Sequence, residues 1–446
     1  MPILKLRSTF AALPLALALA AAHAGAPLYH LTPLTVPDAT SVTVEDINDA
    51  GQVVGTYNDA GFVRHAVLWD AAGWHELALP PGDEVNGIAR AINNAGQIVG
   101  TSDDFVQPTF GLLWDAATPG TYTVLNDDSG APVLPADIND DGVVAGGWGV
   151  PSRAFVWTAA GGLVDYGVQD PSVQDQQARW TAINDSGKLI GYWNVHVADI
   201  HATVGIVGTP AVLGMGGASD VQRTNAVGMN AAGVVVGLGS NDLETLVPIV
   251  FGDEGAFTEI AGATLDQGNG AAIAINDAGV IVGTAGIGTA NGPVPGLKAW
   301  VYRDGAVYDL FTVVDDTTGF VRFSNAVAIN ASGVIVGTGH DADDNGQSFV
   351  LTPAADNQPF GFVERKCLNR GSLSHELTHL LGANHAPPMT PSFANDSYGY
   401  HDAHANFRTL EAACGAGDPC RDRIPYLSDP SQPFRGAPRG NTTSND

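Results

Sequence analysis

Ile275-Asn276-Asp277-Ala278-Gly279-Val280-Ile281-Val282-Gly283 is one copy of a phrase that runs through most of this chain. Asn276 and Asp277 tolerate turn dihedrals and Gly279 supplies a positive φ, so the first half reads as a tight turn. Val280-Ile281-Val282 is β-branched and reads as a buried strand. Gly283 then suits a close backbone approach, expected where neighbouring strands crowd near a central axis. The phrase Ile-Asn-x-x-Gly-x-(Val/Leu/Ile)-(Val/Ile/Ala)-Gly recurs, exactly kept or nearly so, with its asparagine at Asn48, Asn93, Asn139, Asn184, Asn230, Asn276 and Asn330. Successive spacings are 45, 46, 45, 46, 46 and 54 residues. A fixed period of this size is the mark of a repeat array or propeller.

The rest of each unit is also strand-like. His65-Ala66-Val67-Leu68-Trp69, Arg153-Ala154-Phe155-Val156-Trp157 and Lys298-Ala299-Trp300-Val301-Tyr302 are apolar runs, and several are followed by a glycine turn and a short last strand, as in Gly73-Trp74-His75-Glu76-Leu77. Four short strands per period match one propeller blade. The seventh unit offers Ser348 to Pro353 as a third strand and no clear fourth, whereas Leu28 to Leu34 has the pattern of a fourth strand and no unit of its own. Pairing the two closes a ring of seven blades and removes the edges that an open β-solenoid, the alternative, has to protect. The units are similar to the His-Ala-Phe type of extracellular bacterial repeat, a resemblance that implies a β-rich exported domain and no particular activity.

The strongest chemical signal lies beyond the repeats. Ser374-His375-Glu376-Leu377-Thr378-His379-Leu380-Leu381-Gly382-Ala383-Asn384-His385 reads H-E-x-x-H-x-x-G-x-x-H. On a helix, His375 and His379 stand four apart and project from one face. Gly382 can take the left-handed conformation that ends the helix, so His385 returns as a third nitrogen ligand. Three imidazoles with an open fourth position suit catalytic Zn2+, and Glu376 is placed to take a proton from the metal's water. An amphipathic helix with Leu377, Leu380 and Leu381 in a core leaves the register of Gly382 and His385 unexplained.

Cys367 to His385 resembles the metzincin zinc peptidases. Tyr398-Gly399-Tyr400, Phe407-Arg408-Thr409-Leu410, Cys414, Cys420 and Arg423-Ile424-Pro425-Tyr426-Leu427-Ser428-Asp429-Pro430 resemble the bacterial peptidyl-Asp metalloendopeptidases in particular. The resemblance spans residues 362–446 and implies zinc on His375, His379 and His385, with Glu376 as general base and a protein or peptide as substrate. Departures accompany it. Glu411 stands where that family's turn methionine is expected, Thr378 where it has glycine, and Ala386 where many relatives have aspartate. Only Phe360 to Cys367 separates the motif from the repeats, too few residues for an upper subdomain with a substrate-pairing strand.

The expected architecture is therefore mainly β. Residues 1–24 form a secretory signal, 25–355 a seven-bladed β-propeller, and 356–446 a small, truncated metzincin-like α segment with an irregular tail. Lys5 and Arg7 precede the apolar run Phe10 to Ala21, and Ala22-His23-Ala24 is a small-x-small cleavage site. Cleavage near Ala24 predicts a secreted product, extracellular or periplasmic, and no later apolar run is long enough for a membrane span. Cys367, Cys414 and Cys420 all lie in the last segment, where export permits a disulfide. Cys414–Cys420, Cys367–Cys414 and Cys367–Cys420 are the open pairings. A formal net charge of −28 repels phosphate backbones and argues against nucleic acid as a partner. The composition is silent on oligomeric state.

Two further patterns concern cations. Asp341-Ala342-Asp343-Asp344-Asn345-Gly346 and Asp137-Ile138-Asn139-Asp140-Asp141-Gly142 have the oxygen spacing of a Ca2+ loop, although Thr352 and Trp148 replace the closing glutamate. The second doubles as the repeat's own turn. His65, His75 and His201 fall singly in strands and read as packed or surface residues. Two functions fit this chain: a secreted zinc endopeptidase with the propeller as binding platform, or a non-catalytic binding propeller with a degenerate peptidase tail.

Overall fold

The computed structural model describes residues 28–354, apart from short connecting stretches, together with the short strand pairs 401–402 with 407–408 and 433–434 with 437–438. The chain divides into two compact units, Met1–Asn357 and Gln358–Asp446. The first contains seven four-stranded antiparallel sheets. Blade 1 is Ser41–Ile47, Val53–Asn58, Arg64–Asp70 and Gly73–Glu76 in spatial and chain order, and blades 2 to 6 repeat that meander. The seven-bladed propeller expected from the repeats is the observed fold.

Closure follows the expected route. Blade 7 takes Arg322–Ile329, Ile335–His340 and Gly346–Pro353 from the C-terminal end of the ring and Tyr29–Leu34 from the other end of the chain. Tyr29 pairs with Pro353 and Leu34 with Ser348 in an antiparallel register. The long 54-residue interval between Asn276 and Asn330 has a structural use. Its extra residues form a 3-10 turn, Leu310–Thr312, started by the Asp309 side chain accepting from Phe311 N. The following residues clasp the closing strand: Leu28 N and Tyr29 N both donate to Val313 O, at 2.7 and 3.1 Å, and Asp315 N donates to Tyr29 O at 3.0 Å. Asp315 also receives Leu31 N at 3.1 Å and faces His30 Nδ1 at 2.5 Å. Beneath this clasp Tyr29, Phe320, Phe323 and Phe349 are buried together.

Apolar residues of each blade pack against those of the next. Val54, Leu68 and Leu77 of blade 1 meet Ala89, Ile98, Leu112 and Trp114 of blade 2, which excludes water from the blade interface. The recurring glycine has a sharper role than crowding at an axis. Every first strand carries a β-bulge, and the glycine of the second strand sits opposite it, as with Gly55 facing the irregularity between Val44 and Asp46. A Cβ on Gly55, Gly100, Gly191, Gly237, Gly283 or Gly337 would collide with the carbonyl oxygen of the first strand of the same blade. The close approach is thus within a blade, which corrects the expectation of crowding between blades.

Candidate functional site

First strands of neighbouring blades line the axis, and each ends in the Ile-Asn turn of the repeat. The seven asparagines are buried and form a closed ring. Nδ2 of Asn48 donates to Asn93 O, and the same bond is made by Asn93 to Asn139, Asn139 to Asn184, Asn184 to Asn230, Asn230 to Asn276, Asn276 to Asn330, and Asn330 back to Asn48, at 2.8–3.4 Å. Each Oδ1 accepts the backbone N–H four residues on, as Gln52 to Asn48 at 3.0 Å and Val280 to Asn276 at 3.0 Å. One side chain therefore holds its own turn and the adjacent blade. Asparagine alone offers an amide donor and a carbonyl acceptor at this length, whereas aspartate lacks the donor.

Outside this ring lies an exposed collar at the following position. Asp49, Asn94, Asp140 and Asp277 accept backbone N–H groups of neighbouring blades: Asn94 N to Asp140 Oδ1 at 2.7 Å, Ala231 N to Asp277 Oδ1 at 2.9 Å, and Ala331 N to Asp49 Oδ1 at 2.8 Å. Asp185 does the same for Asp140 N. Ring and collar enclose an open cavity of about 220 Å³ at the mouth of the channel. The collar makes this mouth acidic and suited to basic groups.

Deeper along the channel two carboxylates bridge blades. Asp46 accepts Ile47 N at 2.8 Å and Ile92 N at 2.9 Å, and Asp137 accepts Ile138 N and Ile183 N, both at 2.8 Å. Loss of solvent raises the Asp46 carboxyl to about 7 and that of Asp137 to about 6, against the two backbone bonds that favour each charged form. Glu45 pairs with Arg90 across a blade boundary at 3.3 Å, and burial raises the Glu45 carboxyl despite that partner. Arg179 is half-buried, has no hydrogen bond or ion pair among the described residues, and is pushed below its usual range by burial.

The metal-type residues named from sequence have two different outcomes. His375, Glu376, His379 and His385 lie outside the described residues, as do Glu411, Cys367, Cys414 and Cys420. The calcium-like turn at Asp341 is described, and its oxygens are taken by its own turn. Asp341 Oδ1 accepts Asp343 N at 2.9 Å and Asn345 N at 2.8 Å, and Oδ2 accepts Asn345 Nδ2 at 3.0 Å and Gln347 Nε2 at 3.1 Å. These bonds, the Asn345 amide foremost, hold the carboxyl below its ordinary value. Calcium there would have to displace those donors. Asp137 and Asn139 of the other pattern serve the blade bridge and the asparagine ring. Among the described residues no group of three or more His, Cys, Asp or Glu side chains is arranged to hold a metal ion.

The lone histidines are packed and paired. His65 stacks on Tyr57 at 4.7 Å and meets Glu76 at 2.9 Å, His75 meets Asp70 at 3.1 Å, and His201 stacks on Trp193 at 4.5 Å. His65 also shares its place with Arg153 and Lys298, each on the third strand and each facing a fourth-strand carboxylate, Glu76, Asp165 or Asp309. Turn chemistry alone missed the asparagine ring. The signal was present: the position after it varies among Asp, Asn and Ala, yet the asparagine itself occurs in all seven copies.

No protein-family model matches the chain, and no curated protein matches it. Solved structures do. TolB of Acinetobacter baumannii is similar over 68% of this chain and 64% of its own, with 10% identity and a TM-score of 0.38. The oligogalacturonate lyase of Vibrio parahaemolyticus is similar over 72% of this chain and 93% of its own, with 11% identity and a TM-score of 0.48. A puromycin-hydrolyzing peptidase of Mycobacterium tuberculosis is similar over 74% and 55%, with 13% identity and a TM-score of 0.46. This chain thus spans under two thirds of the first and third of these proteins. Likeness at such identities says nothing of activity. What the strand order, register and asparagine ring establish is that the described part of this chain is a seven-bladed β-propeller closed by its N-terminal strand.

Proposed function

We propose that this is an exported zinc-endopeptidase-type protein in which the propeller is the binding platform and the segment after it is the hydrolytic element. The observation that carries the reading is the eleven-residue run from His375 to His385. In it His375, His379 and His385 would hold Zn2+, a donor set of three neutral imidazoles that fits this ion with one position left open. Bound zinc would supply an acidified water to attack a peptide carbonyl. Glu376, adjacent to the first ligand, would accept the proton of that water and return it to the leaving nitrogen. The substrate is a protein or peptide, the propeller faces serve to hold it, and the secretory signal over residues 1–24 places the reaction outside the cytoplasm.

Elemental analysis tests the metal. Mature protein should carry about one zinc, expected from one such site, and His379→Ala should lose it; equal zinc in both removes the assignment. Casein digestion with and without chelator tests the chemistry, and Glu376→Gln should abolish it while keeping metal, since general-base assistance supplies ~10²–10⁴-fold. A second reading is favoured by Glu411, a carboxylate where a soft thioether is expected, and by the short stretch Phe360 to Cys367. On it the propeller binds without catalysis, and wild type shows no chelator-sensitive cleavage.

A further inference from the structure

We propose that the cleft beneath blade 3, at the end opposite the asparagine turns, binds an uncharged stretch of extended peptide through its main-chain carbonyls. The proposal rests on the platform half of the functional reading and needs no zinc. The cleft has a volume of about 600 Å³ and runs along the hairpin between the second and third strands of the blade. Its wall combines apolar side chains with N–H donors that have nothing to donate to. Trp148 lines it, and the enclosed indole N–H has no acceptor. Gln176 also lines it and is only 4% exposed. The carboxamide oxygen of Gln176 accepts Asp170 N at 2.6 Å, while its amide nitrogen makes no hydrogen bond among the described residues. An enclosed donor without a partner costs about 1–3 kcal/mol, so an arriving acceptor recovers that amount.

Charge and shape narrow the ligand. Arg153 lies in the wall, but its Nε and one terminal nitrogen are committed to Asp165 at 2.8–3.1 Å. Asp175 adds a second carboxylate to the lining. One guanidinium against two carboxylates disfavours an anion. A sugar would bring as many donors as acceptors to a wall whose unmet groups are donors. Val150 stands 88% exposed at the rim, an aliphatic side chain in water, with Pro151, Val168 and Pro171 beside it. An uncharged peptide meets both demands, offering carbonyl acceptors along its backbone and apolar side chains to cover Val150 and the prolines.

The experiment uses full-length mature protein labelled with nitrogen-15 at tryptophan, which shows up to eight indole signals. Trp148→Phe removes one of them and so assigns it. The probe is the capped tripeptide acetyl-Leu-Pro-Leu-methylamide, titrated in the presence of chelator. The Trp148 signal should move saturably, Trp148→Phe should weaken binding about five-fold, equivalent to ~1 kcal/mol for one hydrogen bond, and Val150→Glu, an exposed change that leaves the fold alone, should weaken it at least as much. A Trp148 signal that stays still, or unchanged affinity in both variants, overturns the proposal. Equal binding of acetyl-Glu-Pro-Glu-methylamide overturns its uncharged character. Since chelator is present throughout, loss of proteolysis with retained binding removes the zinc reading alone, and the reverse removes this site alone.

Discussion

Replacing Asn276 by alanine should destabilise the propeller by about 3 kcal/mol. The side chain makes two bonds in a buried position: Nδ2 donates to Asn330 O of the next blade at 3.1 Å, and Oδ1 accepts Val280 N at 3.0 Å. Alanine removes both partners at once and leaves a carbonyl and an N–H enclosed and unpaired, at about 1–3 kcal/mol each. Equilibrium urea unfolding of wild type and variant measures the loss. With a slope of ~3 kcal/mol/M, expected for a large domain, the midpoint should fall by roughly 1 M with the slope unchanged. Asp277→Ala, in the same turn, is the control. Asp277 is exposed and its single inter-blade bond, from Ala231 N at 2.9 Å, can be replaced by water, so its cost should stay below ~1 kcal/mol. Equal midpoints for Asn276→Ala and Asp277→Ala would refute the idea that the ring, rather than the turn, is what the asparagine stabilises.

Further outcomes follow from other parts of the ring. Asp46 and Asp137 have carboxyls raised by burial to about 7 and about 6, so their stabilising contribution is complete below the unfolded value near pH ~4 and is lost as pH rises through that window. The urea midpoint of wild type should therefore fall between pH 5 and pH 8, and that of the Asp46→Asn, Asp137→Asn double variant should fall less; a rising midpoint contradicts the shifts. Gly100→Ala should cost more than ~3 kcal/mol, because its Cβ would collide with the rigid Ile88 carbonyl, and a soluble variant with wild-type melting contradicts the bulge geometry. Arg179→Met should leave stability unchanged or raise it by ~1 kcal/mol, since the guanidinium is half-buried without a partner; a large loss in urea unfolding would show an unseen contact. A chain ending near Ala355 should be soluble, β-rich by circular dichroism and cooperative in melting, because blade 7 is completed by Tyr29–Leu34 and not by anything later.

What the sequence disclosed depends on how far apart the interacting groups lie. The blades were legible because each strand and turn is local: Asn276 to Gly279 makes its own turn, and Val280 to Val282 its own strand. Closure was legible for a different reason, a missing fourth strand after Pro353 and an unpaired strand-like run at Leu28. The asparagine ring was not, since the acceptor for each amide lies about one whole period away. The clasp of Val313 and Asp315 on Leu28–Leu31 was visible only as an irregular interval, because its partners are separated by 284 or 285 positions. Bulges were invisible too; only the glycines opposite them appeared. The zinc-type motif is as legible as a sequence motif can be, and its residues His375 to His385 lie outside the described part of the chain.

Closure by the N-terminal strand is the claim on which the rest depends, and an engineered disulfide tests it most directly. His30 lies opposite Thr352 in the antiparallel register of the closing strand, and pairs of this kind have Cα atoms within disulfide reach. His30→Cys with Thr352→Cys, in a background where Cys367, Cys414 and Cys420 are serine, should cross-link within the monomer on mild oxidation. Peptide mapping by mass spectrometry should find the tie between those two positions, with the urea midpoint raised. No intramolecular link, or a better yield from His30→Cys with Val350→Cys, would mean that the ring is open or closed in another register.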